Sequence, residues 1–281
     1  MQRKHARKRD TKAQKRECGA IFTILDEENG MSSFDTGTFV RPIAHRGLHD
    51  LGAGRIENTA AAFEAAIAGG YGIECDLQPL ADGTPMVFHD ATLDRLIDAS
   101  GRIDAHSRAQ IKKLRYRDSD AHIISFADFL DLVGGRVPLL VEIKSEWAPP
   151  NMQFLKAIAA LSRNYGGPLA LMSFDPVVMA RTRELCPSVP RGIVSGIYQG
   201  EGWWLDRLSA ERAYRLTHLL ENGPVQPGFV SYHVKALPTP VTRFLREGLQ
   251  MPLFCWTVRT AAERKIAAEW ADAPTFEGWL P

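Results

Sequence analysis

The chain has 281 residues, 45% apolar and 24% charged, enough to fold without outside help around a substantial core. Its formal net charge is only +1, so no global field selects nucleic acid or a membrane as partner. No apolar run approaches the roughly 18 residues of a transmembrane span, and A-I-F-T-I-L at 20–25 is too short for a signal-peptide core.

Residues 1–17 carry eight Lys or Arg against Asp10 and Glu17, a local +6 that leaves about −5 for the remainder. With almost no apolar periodicity, residues 1–38 read as a basic, disordered extension. The segment is a solvated tail, or upstream sequence attached by a wrong start site ahead of Met31. Its functional alternative is a tether to nucleic acid or weak contact with an anionic membrane surface. Residues 39–281 then form the folded domain.

Within that domain, apolar strand candidates at 42–46, 72–78, 138–144, 168–173, 191–195, 228–232, 252–258 and 273–277 alternate with helices that include 59–68, 151–163, 176–184, 239–248 and 260–270. Eight such strands predict an α/β fold, a closed TIM-type (β/α)8 barrel, which typically takes about 250 residues. The alternative, an open doubly wound sheet, lacks its G-x-G-x-x-G turn after the first strand. Asn58 or Thr59 is placed to cap the first helix, Gly69-Gly70 to end it, and Pro176 sits at a helix start.

The strand–helix rhythm breaks at 79–90, where A-D-G-T-P leaves no room for a helical crossover, so Asp82-Gly83 reads as a hairpin turn. A small hairpin-plus-loop insertion, 79–130, follows the second strand and returns His89 towards the barrel mouth. The four cysteines are widely separated, with no C-x-x-C pair, which fits a reducing cytoplasm. Cys75 lies on the strand face opposite Glu74 and Asp76 and reads as core.

Polar residues interrupt three apolar runs: I-A-H-R-G at 43–47, I-E-C-D-L at 73–77 and M-V-F-H-D at 86–90. Residues two apart on a strand share a face, so Glu74 pairs with Asp76, and Glu142 with Lys144. Four charges directed into one barrel require mutual pairing or a bound cation. Three carboxylates suit one hard divalent ion, Mg²⁺ or Ca²⁺.

The series H-R-G at 45–47, E-N-T at 57–59, I-E-C-D at 73–76, A-D-G at 81–83, H-D at 89–90, L-D-R at 93–95 and G-R at 101–102 resembles the glycerophosphodiester phosphodiesterase family. The likeness continues through V-E-I-K at 141–144, S-F-D at 173–175 and W-T-V at 256–258. It implies a phospholipase C-like phosphodiesterase barrel that cleaves glycerophosphodiesters to glycerol 3-phosphate and an alcohol with a divalent metal. Position by position, it implies that Glu74, Asp76 and Glu142 ligate the ion and that His45 and His89 are general acid and base, in either order. Arg46 and Lys144 would hold the phosphate. Glu57 belongs to the substrate site, orients Arg46 or simply favours the dipole of the helix that follows, and Phe174 and Trp256 line the glycerol or alcohol pocket or serve as core.

His49, His106, His122, His218 and His233 read as ordinary surface or loop histidines. The sequence departs from the family pattern at Ile56, at Pro79-Leu80-Ala81 and in the final strand, T-F-E-G-W in place of I-I-T-D. Tyr198, Trp203 and Trp204 offer an apolar surface or pack beneath the long connection 196–224. The alternatives to hydrolysis of small glycerophosphodiesters are lysophospholipase D action, a phosphatidylinositol phospholipase C-like activity and a non-catalytic phosphoester-binding scaffold. Oligomeric state is not encoded in any motif.

Overall fold

The computed structural model describes residues 34–281 except Glu201 and Trp203. The expectations for the basic segment through residue 33, and for Trp203, therefore lie outside the described residues. Strands β1 (Ile43–Ala44), β2 (Gly72–Pro79), β3 (Pro85–Val87), β4 (Leu139–Ile143), β5 (Leu169–Ser173), β6 (Arg191–Ser195), β7 (Phe229–His233), β8 (Leu253–Val258) and β9 (Ala273–Phe276) form one sheet. All but β3 pair in parallel, and β1 closes the barrel by bonding to both β9 and β2.

Among the described residues the α-helices are α1 (Thr36–Phe39), α2 (Ala60–Ala68), α3 (Arg108–Ile111), α4 (Phe126–Val133), α5 (Met152–Asn164), α6 (Pro176–Leu185), α7 (Ala210–Thr217), α8 (Pro240–Arg243) and α9 (Ala261–Trp270). Strand alternation sorts side chains into two layers. Ile73, Cys75 and Leu77 of β2 and Leu139, Val141 and Ile143 of β4 pack in the layer shared with the helices. Leu140, Ala170, Met172, Val194, Phe229 and Phe254 fill the barrel interior. Glu74, Asp76 and Glu142 take the remaining alternate positions and are buried with them.

The extension does not remain structureless through residue 38. Asp35 caps α1 by accepting from the backbone N–H groups of Gly37 and Thr38. The Phe34 ring stacks 4.7 Å from both Phe39 and Phe229 and meets Phe254 edge-on at 5.9 Å. These rings seal the barrel floor, because burying aromatic surface there outweighs the entropy of ordering a few residues.

Asp82-Gly83 forms the hairpin. Pro79 pairs antiparallel with Pro85, and Asp82 Oδ1 accepts from the Thr84 N–H at 2.9 Å. Gly83 has φ +79, and a Cβ there would lie 2.8 Å from Gln153, so both conformation and space select glycine. Beyond β3, the Phe88 N–H donates to the Asp76 carbonyl at 3.0 Å and Gln78 Nε2 to the His89 carbonyl at 2.9 Å. The insertion has a core of its own that includes Leu80, Phe88, Leu93, Ile97, Ile111 and Tyr116.

Four helices, α1, α3, α4 and α7, were absent from the expected elements, the first two only four residues long. Helix α4 has a Ser125–Asp128 capping box and a left-handed Gly134 at its end, and it packs in the main helical layer. An insertion boundary at 130 therefore falls inside a barrel helix. Helix α7 is short and polar apart from one face, so its sequence signal was weak. The expected helix at 239–248 is α8 passing into a π-helical turn at Phe244–Gly248.

Phe34→Ala should leave the barrel folded but lower its stability in urea unfolding. For a ring that is only partly buried, the loss should be about half the roughly 3–5 kcal/mol of a fully buried Phe→Ala change. An unchanged midpoint would show that the floor does not depend on this ring.

Candidate active site

Register brings the acidic groups together. Asp76 of β2 lies beside Glu142 of β4, and Glu74 one alternate position below, all on the inward face. Lys144, just past β4, places Nζ 2.8 Å from Asp76 Oδ1 and 2.7 Å from Glu142 Oε1. At the end of β1, Arg46 adopts φ +55, and its backbone N–H donates to Glu74 Oε2 at 3.0 Å. Gly47 follows at φ +77, where a Cβ would come within 2.9 Å of Ala62 and Phe63, so the H-R-G turn seats directly on α2.

Asn58 does not cap α2. It takes φ +55 and donates from Nδ2 to Asp76 Oδ2 at 2.8 Å. Thr59 occupies the cap position, but its hydroxyl donates to the Ile56 carbonyl. The competing partner is a buried carboxylate, for which a charge-assisted bond is the stronger one.

Burial, together with repulsion from Asp76 and Glu142, pushes the Glu74 carboxyl well above the usual range. Burial opposes ionisation of Asp76 too, yet Lys144, His89 and Arg46 hold it below that range. Lys144 is raised despite its burial by Asp76 and Glu142. The cluster thus carries more carboxylate than its own cations neutralise. One oxygen from each of Glu74, Asp76 and Glu142 lies within 4.8 Å of the others, a donor set that fits a hard divalent cation.

Each histidine has a carboxylate behind it. His45 Nδ1 is 2.5 Å from Glu277 Oε2, and its Nε2 is 3.9 Å from Glu74 Oε2. Burial drives His45 down to about 4 against the pull of Glu277, so the ring is neutral at pH 7 and donates Nδ1–H to Glu277. Burial also opposes the charge of Glu277, but His45, His49 and Arg259 hold its carboxyl far below the usual range. His89 Nδ1 is 2.6 Å from Asp90 Oδ1, with Arg95 on the same carboxylate.

A cavity of about 450 Å³ opens over this arrangement. It brings together His45, Arg46, Glu74, His89, Glu142 and Lys144 with Phe174 and Trp256, whose rings meet edge-on at 5.1 Å. Asp76 lies beneath the lining, 1% exposed. Glu57 is outside the lining, and its carboxylate is held by Arg46 and Arg95. Tyr198 and Trp204 pack on each other at 5.7 Å in a small core with Leu208, Ala213 and Leu216, beneath the connection.

Sequence reasoning missed several neighbours of the site. Glu277 and His49 meet across 3.5 Å, and His233 lines the cavity against Trp256. Asp90 and Arg95 lay within noted motifs without an assigned role. The T-F-E-G-W departure was the available signal for Glu277, since it places a carboxylate just beyond the last strand.

The family model of the glycerophosphoryl diester phosphodiesterases matches residues 45–273. A curated relative, glycerophosphodiester phosphodiesterase 1 of Bos taurus, is 47% identical over 77 residues, 27% of this chain and 22% of the relative. The matched stretches thus span about a fifth to a third of the first curated mammalian relatives. Among solved structures, an Oleispira antarctica phosphodiesterase in complex with the product sn-glycerol-3-phosphate superposes with TM-score 0.64 at 21% identity, covering 84% of this chain and 92% of the other. The glycerophosphodiester phosphodiesterase of Thermotoga maritima gives 0.63 at 20%, covering 84% and 93%. Both show the same barrel fold.

Saturating Mg²⁺ or Ca²⁺ should raise the melting temperature of the protein, by the equivalent of about 2.7 kcal/mol at a hundredfold excess over Kd. Glu74→Gln and Glu142→Gln should lose that shift in differential scanning fluorimetry. A full shift in both variants would place the cation elsewhere.

Proposed function

The chain belongs to the glycerophosphoryl diester phosphodiesterase family, and we propose that it is a metal-dependent hydrolase that cleaves glycerophosphodiesters to sn-glycerol 3-phosphate and an alcohol. One observation carries the reading. Two imidazoles, each tied through Nδ1 to a carboxylate, share a cavity with a convergent carboxylate cluster and two cationic side chains.

Glu74, Asp76 and Glu142 would hold the divalent ion, Mg²⁺ or Ca²⁺, which when bound supplies positive charge against the phosphoryl oxygens. Arg46 and Lys144 add to that charge and orient the phosphate, a guanidinium by its fork and an ammonium as a point charge. Phe174 and Trp256 offer apolar faces to the carbon skeleton of glycerol or of the alcohol. The surrounding walls exclude water and strengthen each of these contacts.

Burial supports different roles for the two histidines. His45 is neutral and 9% exposed, at the inner end of the cavity. Its Nε2 accepts the proton of the glycerol hydroxyl as that oxygen bonds to phosphorus. His89 stands at the rim with its side chain 31% exposed, where the alcohol departs. It donates a proton to the alcohol oxygen as the P–O bond breaks, leaving a cyclic phosphate. Water then adds to phosphorus, giving its proton to His89, while His45 returns a proton to the released glycerol oxygen. The products are sn-glycerol 3-phosphate and the free alcohol, and both histidines end as they began.

No helix among the described residues is long and apolar enough to cross a membrane. Cys75, Cys186 and Cys255 are buried and unpaired, which supports a reducing cytoplasm as the place of action.

The protein should release glycerol 3-phosphate from glycerophosphocholine or glycerophosphoethanolamine in a coupled dehydrogenase assay, and chelator should abolish release reversibly. His45→Gln, His89→Gln and Glu277→Gln should each lower kcat by about 10²–10⁴-fold. Undiminished hydrolysis after complete metal removal would refute the mechanism, and near-normal turnover by His89→Gln would remove it as proton donor.

A further inference from the structure

We propose that Arg95 is a positioning residue that locks the proton donor and the phosphate clamp into one assembly, acting through Asp90 on His89 and through Glu57 on Arg46. The assignment rests on the diesterase reading above. Arg95 does not line the cavity, yet its guanidinium forks on two sides. Nε donates to Asp90 Oδ2 at 2.6 Å and Nη2 to Asp90 Oδ1 at 3.1 Å, while Nη1 and Nη2 donate to Glu57 Oε2 and Oε1 at 2.9 and 2.7 Å.

Both carboxylates continue the chain inward. Asp90 Oδ1 meets His89 Nδ1 at 2.6 Å, and Glu57 Oε1 accepts from Arg46 Nη1 at 2.7 Å. Arg46 Nε in turn lies 3.4 Å from Asp76 Oδ2. An unbroken run of charged contacts therefore leads from the rim histidine to the acidic cluster, and Arg95 is its middle.

Its placement is built into the insertion. The L-D-R turn is anchored by Leu93 and Ile97, both fully buried in the insertion core, and the Leu93 N–H bonds to the Gly101 carbonyl at 2.9 Å. The departure from barrel rhythm thus supplies His89, its carboxylate and the arginine that holds that carboxylate. The Arg95 side chain is 46% exposed, and ion pairs at such positions contribute little to global stability. What the double fork fixes is direction: without it Asp90 loses its second partner and is free to swing away from His89. Lysine has the charge but not the fork.

The test compares two substrates at saturating Mg²⁺. In glycerophosphoethanolamine the departing alkoxide needs a proton, whereas in the 4-nitrophenyl ester of glycerol 3-phosphate the nitrophenolate leaves without one. Arg95→Gln should lower the single-turnover rate of alcohol release from the first by about 100-fold and from the second by less than about tenfold. KM should rise on both, through Arg46, and melting should stay within a few degrees of wild type. Arg95→Lys should not restore the rate. Asp90→Asn should reproduce the leaving-group-dependent loss, and adding Arg95→Gln to it should lower that rate little further. Unchanged kinetics, or equal losses on both substrates, would overturn the role assigned to Arg95. Failure of the wild type to release glycerol 3-phosphate from either substrate would overturn the diesterase reading itself.

Discussion

Everything at the mouth of this barrel depends on one electrostatic constraint, the burial of Glu74, Asp76 and Glu142 against a single lysine. Parallel pairing puts Asp76 and Glu142 side by side, about one inter-strand spacing apart, with no freedom to separate. Lys144 bonds both, and Arg46 and Asn58 satisfy further oxygens of the set. Glu74 is left with burial and two like charges, which drive its carboxyl towards the neutral form. A barrel fold gains nothing in stability from such an arrangement, since an apolar residue at each position would pack at lower cost. The cluster offers a donor set that could hold a cation, with its carboxylates held in place by the strands.

The same logic extends outward. Each candidate reactive side chain is fixed by a carboxylate, and each carboxylate by an arginine: His45 by Glu277 and Arg259, His89 by Asp90 and Arg95, Arg46 by Glu57 and Arg95. Backbone conformation contributes as well. Arg46 and Asn58 both occupy the left-handed region that non-glycine residues seldom adopt, and both aim a donor at a carboxylate of the cluster. Local strain is accepted at two positions whose geometry serves the cluster. The surrounding core is otherwise regular, with aliphatic and aromatic side chains on both faces of the strands.

The insertion after β2 shows how a rigid scaffold acquires a site with residues far apart in sequence. A two-strand hairpin alone would be marginal in water. Here it is steadied by its own apolar core and by main-chain bonds to the end of β2. The reward is placement of one histidine at the rim, opposite another at the inner end of the cavity, so that the two differ in burial.

The chain by itself determined the barrel and most of the candidate site. Alternating apolar runs of strand length, the D-G turn and the i, i+2 carboxylates are local patterns, and they predict strand limits to within one or two residues for most strands. His45, His89, Glu74, Asp76, Glu142, Arg46 and Lys144 were legible because each interrupts an apolar run with charge. Helices α4 and α7, the ordered floor formed by Phe34, and the partners Glu277, Asp90, Asn58 and Arg95 were not. Their roles arise from contacts between residues up to 232 positions apart, as in the bond from His45 to Glu277. Such pairings are set by closure of the barrel and the fold-back of the insertion. No local periodicity encodes them, so only the tertiary structure decided which carboxylate stands behind which histidine.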